Sequence, residues 1–506
     1  MGVHGDPARP EPQALILRRF LLGATVVACC VVGLSACSSS STARPLRLAV
    51  PNQFTLDPAF AEDPTALSVM AACYQPLFSV RSGAQSAEPL LAASVAISDD
   101  RQTFTIKLRD RATFADGNLV RSSDVVATLD RIRDPALQSP FASLLTVVKD
   151  VSVATPDTVR ITTKTAFGEL PVVLANPAFG IIDGRVVNDR GTVRRSCQGS
   201  GAYRSEEDVA GRTVLVRRAK QGDGPPRITL VVTGDPDATE SALRRNRVDV
   251  GFVSGDTPAD GPGYQPYTAV SFIDLNPFAA PLTDARFREA IVRTLDAAAI
   301  TREAYGTVAI PLTALVPQYL VGADRMRCVD ACGTDVTRAR QLVQEVFPNG
   351  APTVTFDYDE GTIPGKVATE VVRQLSSVGI TVKAVPHSAE EYAQLLLSGS
   401  VQMFRFGWVG QYSGAGSILR PLFASGGELA VFGPVTGVDE SLATAEAATD
   451  PDTAATAFAD AADAVLTKWI AKPVAALFTH WRTRSGVEGV SVSSLGALDL
   501  AVLRAR

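Results

Sequence analysis

An aromatic and glycine-rich segment near residue 410 carries the side chains best suited to binding a small ligand. It reads Phe404-Arg405-Phe406-Gly407-Trp408-Val409-Gly410-Gln411-Tyr412-Ser413. Aromatic rings give a large contact area at little cost in conformational entropy, and glycines let the backbone approach a ligand closely. Alternation predicts that Phe404 and Phe406 are core residues of a strand. Trp408 and Tyr412 lie among glycines just past that strand, so we expect them to face a ligand. Arg405 could pair with a ligand carboxylate through its planar guanidinium, and a surface role or a contact between lobes is the alternative.

The sequence offers little support for catalysis. It contains no Gly-x-Ser-x-Gly elbow, no His-Glu-x-x-His motif and no Gly-x-x-x-x-Gly-Lys-Ser/Thr phosphate loop. Only His387 and His480 lie beyond the N-terminal segment, so a histidine-based triad has few possible positions. The adjacent acids Asp99-Asp100 and Glu390-Glu391 are typical of solvated pairs, and a two-carboxylate hydrolase stays open as an alternative. We therefore expect a binding protein without a cofactor or a metal site.

The N-terminal segment has the pattern of an export signal that ends at a lipid-modified cysteine. Arg18-Arg19 precede an apolar run over 20–34, which is shorter than the roughly 20 apolar residues of a bilayer-spanning helix. Leu34-Ser35-Ala36-Cys37 then resembles a lipobox, in which the thiol of Cys37 takes a diacylglyceryl group and becomes the new N-terminus. A transmembrane anchor is the alternative, and the arginine pair also resembles a twin-arginine signal. We expect 1–36 to be a signal peptide, 37–45 a polar tether, and the remainder to work at the outer face of the cell membrane.

Four cysteines remain beyond the signal and lipobox: Cys73, Cys197, Cys328 and Cys332. An even number in an oxidising compartment predicts disulfides. Three pairings are possible, and we expect Cys328–Cys332 and Cys73–Cys197. A metal site is the alternative, but no histidine lies near Cys328 in the sequence.

The composition is that of a soluble globular body. The 506 residues are 20% charged and 46% hydrophobic, and the formal net charge of -5 argues against a nucleic-acid partner. No second apolar stretch approaches the length that spans a bilayer.

Two regions of the chain differ in their pattern of elements. The first begins with a strand at 46–50 and is rich in strands thereafter, predicted at 104–109, 150–154 and 158–162. Its helices are expected to begin at Asp63-Pro64 and at Ser122-Ser123-Asp124, where short polar residues can cap them.

The second region alternates helix and strand. The pattern predicts a helix over 334–347, a strand over 354–356, a helix over 365–378 and a strand over 381–385. A strand–helix–strand unit of this kind gives parallel strands. The chain is therefore expected to hold two unlike lobes.

Five blocks in consistent order carry a resemblance to a known family. They are TLDPAFAEDPTALSVMAACYQPLF at 55–78, DDRQTFTIKLRDRATFADGNLVRSSDVVATLDRI at 99–132, GSGAY at 199–203, SALRRNRVDVGFV at 241–253 and LNPFAAPLTDARFREAIVRTLDAAAI at 275–300. The chain resembles, from about Leu46 to Ala424, the extracytoplasmic solute-binding proteins of peptide and nickel ABC importers (family 5).

The resemblance implies an α/β, two-lobed periplasmic-binding-protein-like fold with an extra strand-rich subdomain in the first lobe. The implied first lobe is 46–274, with its subdomain at about 61–185. The second lobe is 275–480, and 481–506 returns to the first lobe. Ligand would bind between the lobes, which close by hinge motion. The implied ligand-binding residues are Phe54, Tyr74, Arg405, Trp408, Gln411, Tyr412 and Ser413.

At one position the chain departs from the family pattern. Peptide-binding members carry Trp-x-x-Asp-Tyr, in which the aspartate pairs with the α-amino group of the peptide, whereas this chain has Gln411 in place of the acid. An amide brings no charge to offset a desolvated ammonium.

The resemblance implies a monomeric, lipid-anchored receptor that delivers a peptide or peptide-like ligand to the permease of an ABC importer. The alternative is a lipoprotein of the same fold that has lost transport and acts as an envelope regulator or scaffold.

Overall fold

A computed structural model of the chain describes residues 44–505 except for 53–54, 82, 219–222, 255–262, 329 and 428–432. The strands in chain order are β1 (Leu46–Val50), β2 (Phe78–Ser79), β3 (Glu88–Pro89), β4 (Ala92–Ile97), β5 (Thr103–Leu108), β6 (Val148–Thr155), β7 (Thr158–Thr163), β8 (Tyr203–Glu207), β9 (Thr213–Arg217), β10 (Arg227–Val232), β11 (Val250–Phe252), β12 (Gly263–Leu275), β13 (Ala309–Pro311), β14 (Val354–Asp359), β15 (Val382–His387), β16 (Met403–Val409), β17 (Ala471–Thr483), β18 (Val487–Glu488) and β19 (Arg504–Ala505).

The α-helices in chain order are α1 (Pro64–Cys73), α2 (Ser122–Arg133), α3 (Leu170–Val173), α4 (Arg190–Arg195), α5 (Pro236–Arg244), α6 (Ala285–Thr294), α7 (Ala297–Ile300), α8 (Val336–Val346), α9 (Thr362–Ser376), α10 (Ala389–Ser398), α11 (Gly416–Phe423), α12 (Val438–Ala447) and α13 (Pro451–Leu466). Short 3-10 turns cover Pro58–Phe60, Ala142–Leu145 and Pro177–Phe179. Within the described residues, no helix is both long and apolar enough to cross a membrane.

One mixed sheet runs through both lobes, in the order β15-β14-β16-β12-β17-β11-β1-β10-β9-β8. Two antiparallel 13-residue strands, β12 and β17, pair at its centre and join the second-lobe strands to the first-lobe strands. The half of β12 that ends at Leu275 is buried and belongs to the core of the second lobe. The other half is only partly buried. These two strands are therefore the covalent connection that positions one lobe on the other.

The strand-rich subdomain is a separate antiparallel sheet of four strands, in the order β4-β5-β7-β6. Its inner face packs on α2 through Val125, Leu129 and Ile132, each of which is at most 1% exposed. The helix begins where the polar pattern predicted, because the Asp124 carboxylate accepts a hydrogen bond from the backbone N–H of Arg121 at 2.7 Å.

The helix and strand predictions at other positions also agree with the structure, with shifts at the ends. Asp63 caps α1 by accepting from the backbone N–H groups of Thr65 and Ala66. In the second lobe, α8 begins one residue after its cap at Asp335, and β14 and β15 pair in parallel on either side of α9 in the sequence. Helix α9 begins three residues earlier than predicted, at Thr362.

The chain returns to the first lobe at its C-terminal end. Leu498, Leu500 and Leu503 are buried in the cluster that also contains Leu46 and Leu48 of β1. The core of the first lobe is therefore completed only when residues from both ends of the described chain have come together.

The structure forms the two disulfides that we expected. Cys73 at the end of α1 joins Cys197, and Cys328 joins Cys332. The sequence separations are 124 and 4 residues. The first bridge therefore closes a long loop across the first lobe, and the second closes a single turn.

The two bridges should differ in their contribution to stability. Loop-closure entropy predicts about 5 kcal/mol for the long loop and about 2 kcal/mol for the short one. We expect Cys73→Ser with Cys197→Ser to lower the free energy of unfolding more than Cys328→Ser with Cys332→Ser, as measured by urea denaturation of the exported protein. Peptide mapping without reductant should find both bridges in the wild type. Four free thiols, or a larger loss from the short bridge, would contradict this assignment.

Candidate ligand-binding site

The aromatic segment leaves the central sheet next to the strands that join the lobes. Strand β16 pairs antiparallel with β12, from Ala269 opposite Val409 to Leu275 opposite Met403. Immediately after β16, Gly410 exchanges hydrogen bonds with Thr268 of β12, at 3.0 and 2.8 Å. A Cβ at Gly410 would lie 2.4 Å from the Ser417 Oγ, so only glycine allows this close turn. The segment that follows is therefore held between the lobes.

A cavity of about 570 Å³ lies between the strand-rich subdomain and the second lobe. Trp408, Gln411 and Tyr412 line it from the second lobe. The subdomain lines it with Leu144, Val147 and Phe167 among others, which gives this side of the cavity a partly apolar surface. The structure thus brings together three of the residues that the sequence predicted to bind ligand.

A larger cavity of about 780 Å³ is lined mainly by the first lobe and its C-terminal return, with Ser413 from the second lobe. Its polar lining consists largely of hydroxyls and amides, from Gln75, Gln265, Ser413, Ser491, Ser493 and Ser494. The hydroxyls of Ser413 and Ser494 lie 2.6 Å apart and are buried. The sequence predicted Ser413 as a binding residue but not the lining residues from 490 onward. The one local signal for them was the hydroxyl-rich run Ser491-Val492-Ser493-Ser494.

Trp408 lies on β16 rather than past its end, which corrects the prediction from the sequence. The indole is half-buried, stacks on Phe406, and donates a hydrogen bond from Nε1 to the carbonyl of Ser417 at 2.8 Å. Part of this ring is therefore occupied by packing, and the remainder is open to the cavity.

Gln411 is bound to the subdomain through both its side chain and its backbone. Its Nε2 donates to the carbonyl of Pro140 at 3.3 Å, and its carbonyl accepts from the side-chain amide of Asn176 at 2.5 Å. A carboxylate at position 411 could not donate to Pro140. The amide that distinguishes this chain from the family pattern therefore has a structural partner.

Tyr412 is almost entirely buried and packs into the core of the strand-rich subdomain, although it was expected chiefly to face a ligand. Its hydroxyl donates to the Glu169 Oε2 at 2.7 Å, and the backbone N–H of Gly416 donates to the Glu169 Oε1 at 3.2 Å. Burial raises the pKa of the Tyr412 hydroxyl well above its usual value. Tyr412 thus holds the lobes together more than it exposes a surface for ligand.

Two glycines make room for the Glu169 carboxyl. A Cβ at Gly414 would lie 2.3 Å from the Glu169 Oε1, and one at Gly416 would lie 2.1 Å from the Glu169 Oε2. Real Cβ contacts are not that short, so a side chain at either position would displace the Glu169 carboxyl from where it lies. We call Tyr412, Gly414 and Gly416 the glutamate socket.

Arg405 and Tyr74, which the family resemblance implies as ligand-binding residues, line neither of these two cavities. Arg405 donates to the Asp359 carboxylate at 2.6 Å and lines a groove of about 400 Å³ within the second lobe. Tyr74 is 3% exposed, and its hydroxyl donates to the carbonyl of Ser196 in the first-lobe core. Phe54 and Cys37 lie outside the described residues.

Charged side chains that line the cavities already have protein partners within the described part of the chain. In the smaller cavity, Arg420 pairs with Glu446, and Asp439 accepts from the backbone N–H and the hydroxyl of Ser425. In the larger one, Arg81 pairs with Glu88, and Asp499 accepts from the backbone N–H of Ala501. Both cavities therefore offer aromatic rings, amides and hydroxyls to a ligand, together with the carboxylates of Asp439 and Asp499, which neutral groups of the protein hydrogen-bond.

No cluster of three or more His, Cys, Asp or Glu side chains able to hold a metal ion occurs among the residues that the structure describes.

Residues 86–429 match the family model of bacterial extracellular solute-binding proteins, family 5 (Middle). The match covers more than half of the chain, and the chain therefore belongs to this family. It is a solute-binding protein with the two-lobed α/β fold, as the resemblance implied.

Several relatives extend the comparison. The glutathione-binding protein GsiB of Escherichia coli O1:K1 is 27% identical over 421 residues, which cover 77% of this chain and 79% of GsiB. Among solved structures, HbpA2 from Haemophilus parasuis has a TM-score of 0.80 at 17% identity, covering 92% of this chain and 100% of HbpA2. OppA of Haemophilus influenzae, in complex with the peptide RPPGFSPFR, has a TM-score of 0.68 at 18% identity, covering 92% of this chain and 99% of OppA. Membership of the solute-binding family confirms the prediction of a receptor rather than an enzyme.

The glutamate socket can be tested with a matched pair of glycine substitutions. Gly416→Ala should destabilise the protein by about 1–3 kcal/mol, because the added methyl group overlaps the Glu169 carboxyl. Gly365→Ala, in helix α9 with nothing within 4 Å of the new methyl group, should be neutral or stabilise by up to about 1 kcal/mol. Urea denaturation measures both. Equal stability of the two variants would show that Glu169 does not occupy the socket.

Proposed function

We propose that the mature chain is a lipid-anchored receptor that binds a peptide or peptide-like ligand between its lobes and delivers it to an ABC importer. Family membership supports the receptor and its importer partner. GsiB binds glutathione and OppA was solved with a nine-residue peptide, which makes a peptide-like ligand the first candidate here. The observation that carries the proposal is the pair of cavities around residues 408–413, at the place where the family resemblance puts the ligand.

We infer further that the recognised end of the ligand carries no net charge. A buried ammonium or carboxylate of a ligand needs an opposite charge to offset its desolvation. Among the described residues, Arg420 and Arg81 at the cavities are paired with glutamates, Asp439 and Asp499 are hydrogen-bonded by neutral groups of the protein, and position 411 carries an amide. A ligand with a blocked or masked amino group meets this lining at the lowest cost in free energy.

Position 411 tests the recognition of the amino group. Gln411→Asp should raise the affinity for tri-alanine about tenfold or more over the matched variant Gln411→Asn, because only the aspartate offers a charge to the peptide ammonium. Neither variant should gain affinity for N-acetyl-tri-alanine. Isothermal titration calorimetry measures all four pairs.

Equal affinities of the aspartate and asparagine variants for tri-alanine would count against a peptide pocket at this position. That result would favour the second candidate, a non-transport lipoprotein that regulates or scaffolds envelope enzymes. The observation behind that candidate is the hydrogen bond between Gln411 and Pro140, which fills the position of the family's peptide-binding acid. Native mass spectrometry of the exported protein separates the two, since a receptor should retain a ligand of defined mass.

The lipid anchor is tested at Cys37. Cys37→Ala should lose acyl labelling and be either uncleaved or released from the membrane, because the thiol is the acceptor of the diacylglyceryl group. Two acyl chains hold a protein stably at a membrane, whereas one chain is marginal. Labelling with a fatty-acid analogue and membrane fractionation measure the change, with Cys30→Ala in the apolar run as the control. A Cys37→Ala variant that stays labelled and membrane-bound would rule out the lipobox.

A further inference from the structure

Glu169 of the strand-rich subdomain reaches across to the second lobe. It precedes α3, is 5% exposed, and ends in the glutamate socket. Two more hydrogen bonds join the same parts of the molecule. The backbone N–H of Glu169 donates to the Glu446 Oε2 at 3.0 Å, and the backbone N–H of Gly168 donates to the backbone carbonyl of Glu446 at 3.0 Å. Glu169 and Glu446 therefore meet where the subdomain and the second lobe touch.

The formal charges at this contact do not balance if both acids are ionised. Glu169 and Glu446 are both buried, and the cation that pairs with them is Arg420 of α11. Two carboxylates and one guanidinium leave one negative charge on side chains of which the two acids are only 6% and 3% exposed. An uncompensated buried charge costs several kcal/mol or more, and one proton on the pair removes it.

The distances indicate which acid carries the proton. The Arg420 Nη2 is hydrogen-bonded to the Glu446 Oε1, whereas it lies 4.0 Å from the Glu169 Oε2. Glu446 also accepts from the backbone N–H of Glu169. Glu446 therefore has the charged donor that favours a carboxylate, whereas the donors to Glu169, the Tyr412 hydroxyl and the backbone N–H of Gly416, are both neutral.

Other charged groups around the contact are farther from the Glu169 carboxyl. Arg101 follows β4 and lies beside Gly168, with its Nη2 3.2 Å from the position of a Cβ there. Asp439 lines the same cavity as Glu446 and is hydrogen-bonded by Ser425. Burial and the negative charge of Glu446 together raise the pKa of Glu169 to about 8, and burial also raises the pKa of Glu446.

We infer that Glu169 joins the subdomain to the second lobe as a neutral acid, so that this contact takes up a proton when it forms. The inference goes beyond the proposed function and does not depend on any ligand. It makes the contact between the subdomain and the second lobe sensitive to pH.

The direction follows from the linkage between protonation and folding. The pKa of Glu169 is higher in the folded protein than the ordinary value of 4.5. Its contribution to stability is therefore fully present below about pH 4.5 and is lost as the pH rises toward about 8. The glutamine in Glu169→Gln is neutral at every pH and has nearly the same shape as glutamic acid. This variant should therefore not lose stability through position 169 as the pH rises.

The first measurement is infrared spectroscopy of the whole exported protein near neutral pH. The wild-type minus Glu169→Gln difference spectrum should contain the C=O stretch of a protonated carboxylic acid. Asp274, whose burial raises its pKa well above the usual value, should contribute the same band to both proteins and cancel. A difference spectrum with only carboxylate bands would overturn the inference.

The second measurement is urea unfolding as a function of pH. Relative to Glu169→Gln, the wild-type unfolding equilibrium constant should rise by up to about tenfold per pH unit between about pH 4.5 and 8. Glu62→Gln is the control, because Glu62 is exposed in the same part of the chain, and it should follow the wild type. Identical pH profiles for the wild type and Glu169→Gln would also overturn the inference.

Tyr412→Phe keeps the test decisive if Glu169→Gln does not fold. Its lost hydroxyl donates to the charged form of Glu169, so the pH midpoint of the infrared band should move upward. Absence of the acid band near neutral pH from both the wild type and Tyr412→Phe would contradict a neutral Glu169. Either failure leaves the proposed receptor function untouched, because none of these measurements involves a ligand.

Discussion

The pairing of β12 with β17 is the interaction on which the rest of the structure depends. These two strands are the longest in the described chain, and their pairing joins the second-lobe strands to the first-lobe strands. Strands β16, β14 and β15 extend the sheet on one side, while β11, β1, β10, β9 and β8 extend it on the other. The backbone hydrogen bonds of a sheet fix the register of its strands. The pairing of β12 with β17 therefore sets the position of each lobe relative to the other.

The aromatic segment is the first part of the second lobe to leave that shared sheet on the side of the subdomain. Gly410 turns it tightly against Thr268, and Gln411 and Tyr412 then bind the subdomain. The same few residues thus line the candidate cavities and join two parts of the molecule. Under the proposed function, ligand binding at these cavities acts directly on the contact between the lobes, where Glu169 and Glu446 are buried and Arg420 is partly exposed.

Local patterns in the sequence determined much of the fold. Short polar residues at Asp63 and Asp335 fix where helices begin, since a side-chain oxygen must satisfy backbone N–H groups within the next three residues. The alternation of apolar residues predicted β1, β5 and β7. The alternation of helix and strand after residue 334 predicted the parallel pair β14 and β15. The five family blocks predicted the two-lobed fold, and part of the site followed from the aromatic residues among glycines.

Only the tertiary structure decided which side chains meet. The glycines around Tyr412 predict a ligand contact. In the structure the Tyr412 hydroxyl instead donates a hydrogen bond to Glu169, which is 243 residues away in the sequence. The sequence left Arg405 between a ligand carboxylate, a surface role and a contact between lobes, and the structure pairs it with Asp359; Tyr74 is enclosed by the first-lobe core. Caps and alternation act over a few residues, so the sequence itself determines them. The partner of a buried polar group depends on which distant element the fold brings within 3 Å or so, and no local pattern carries that information.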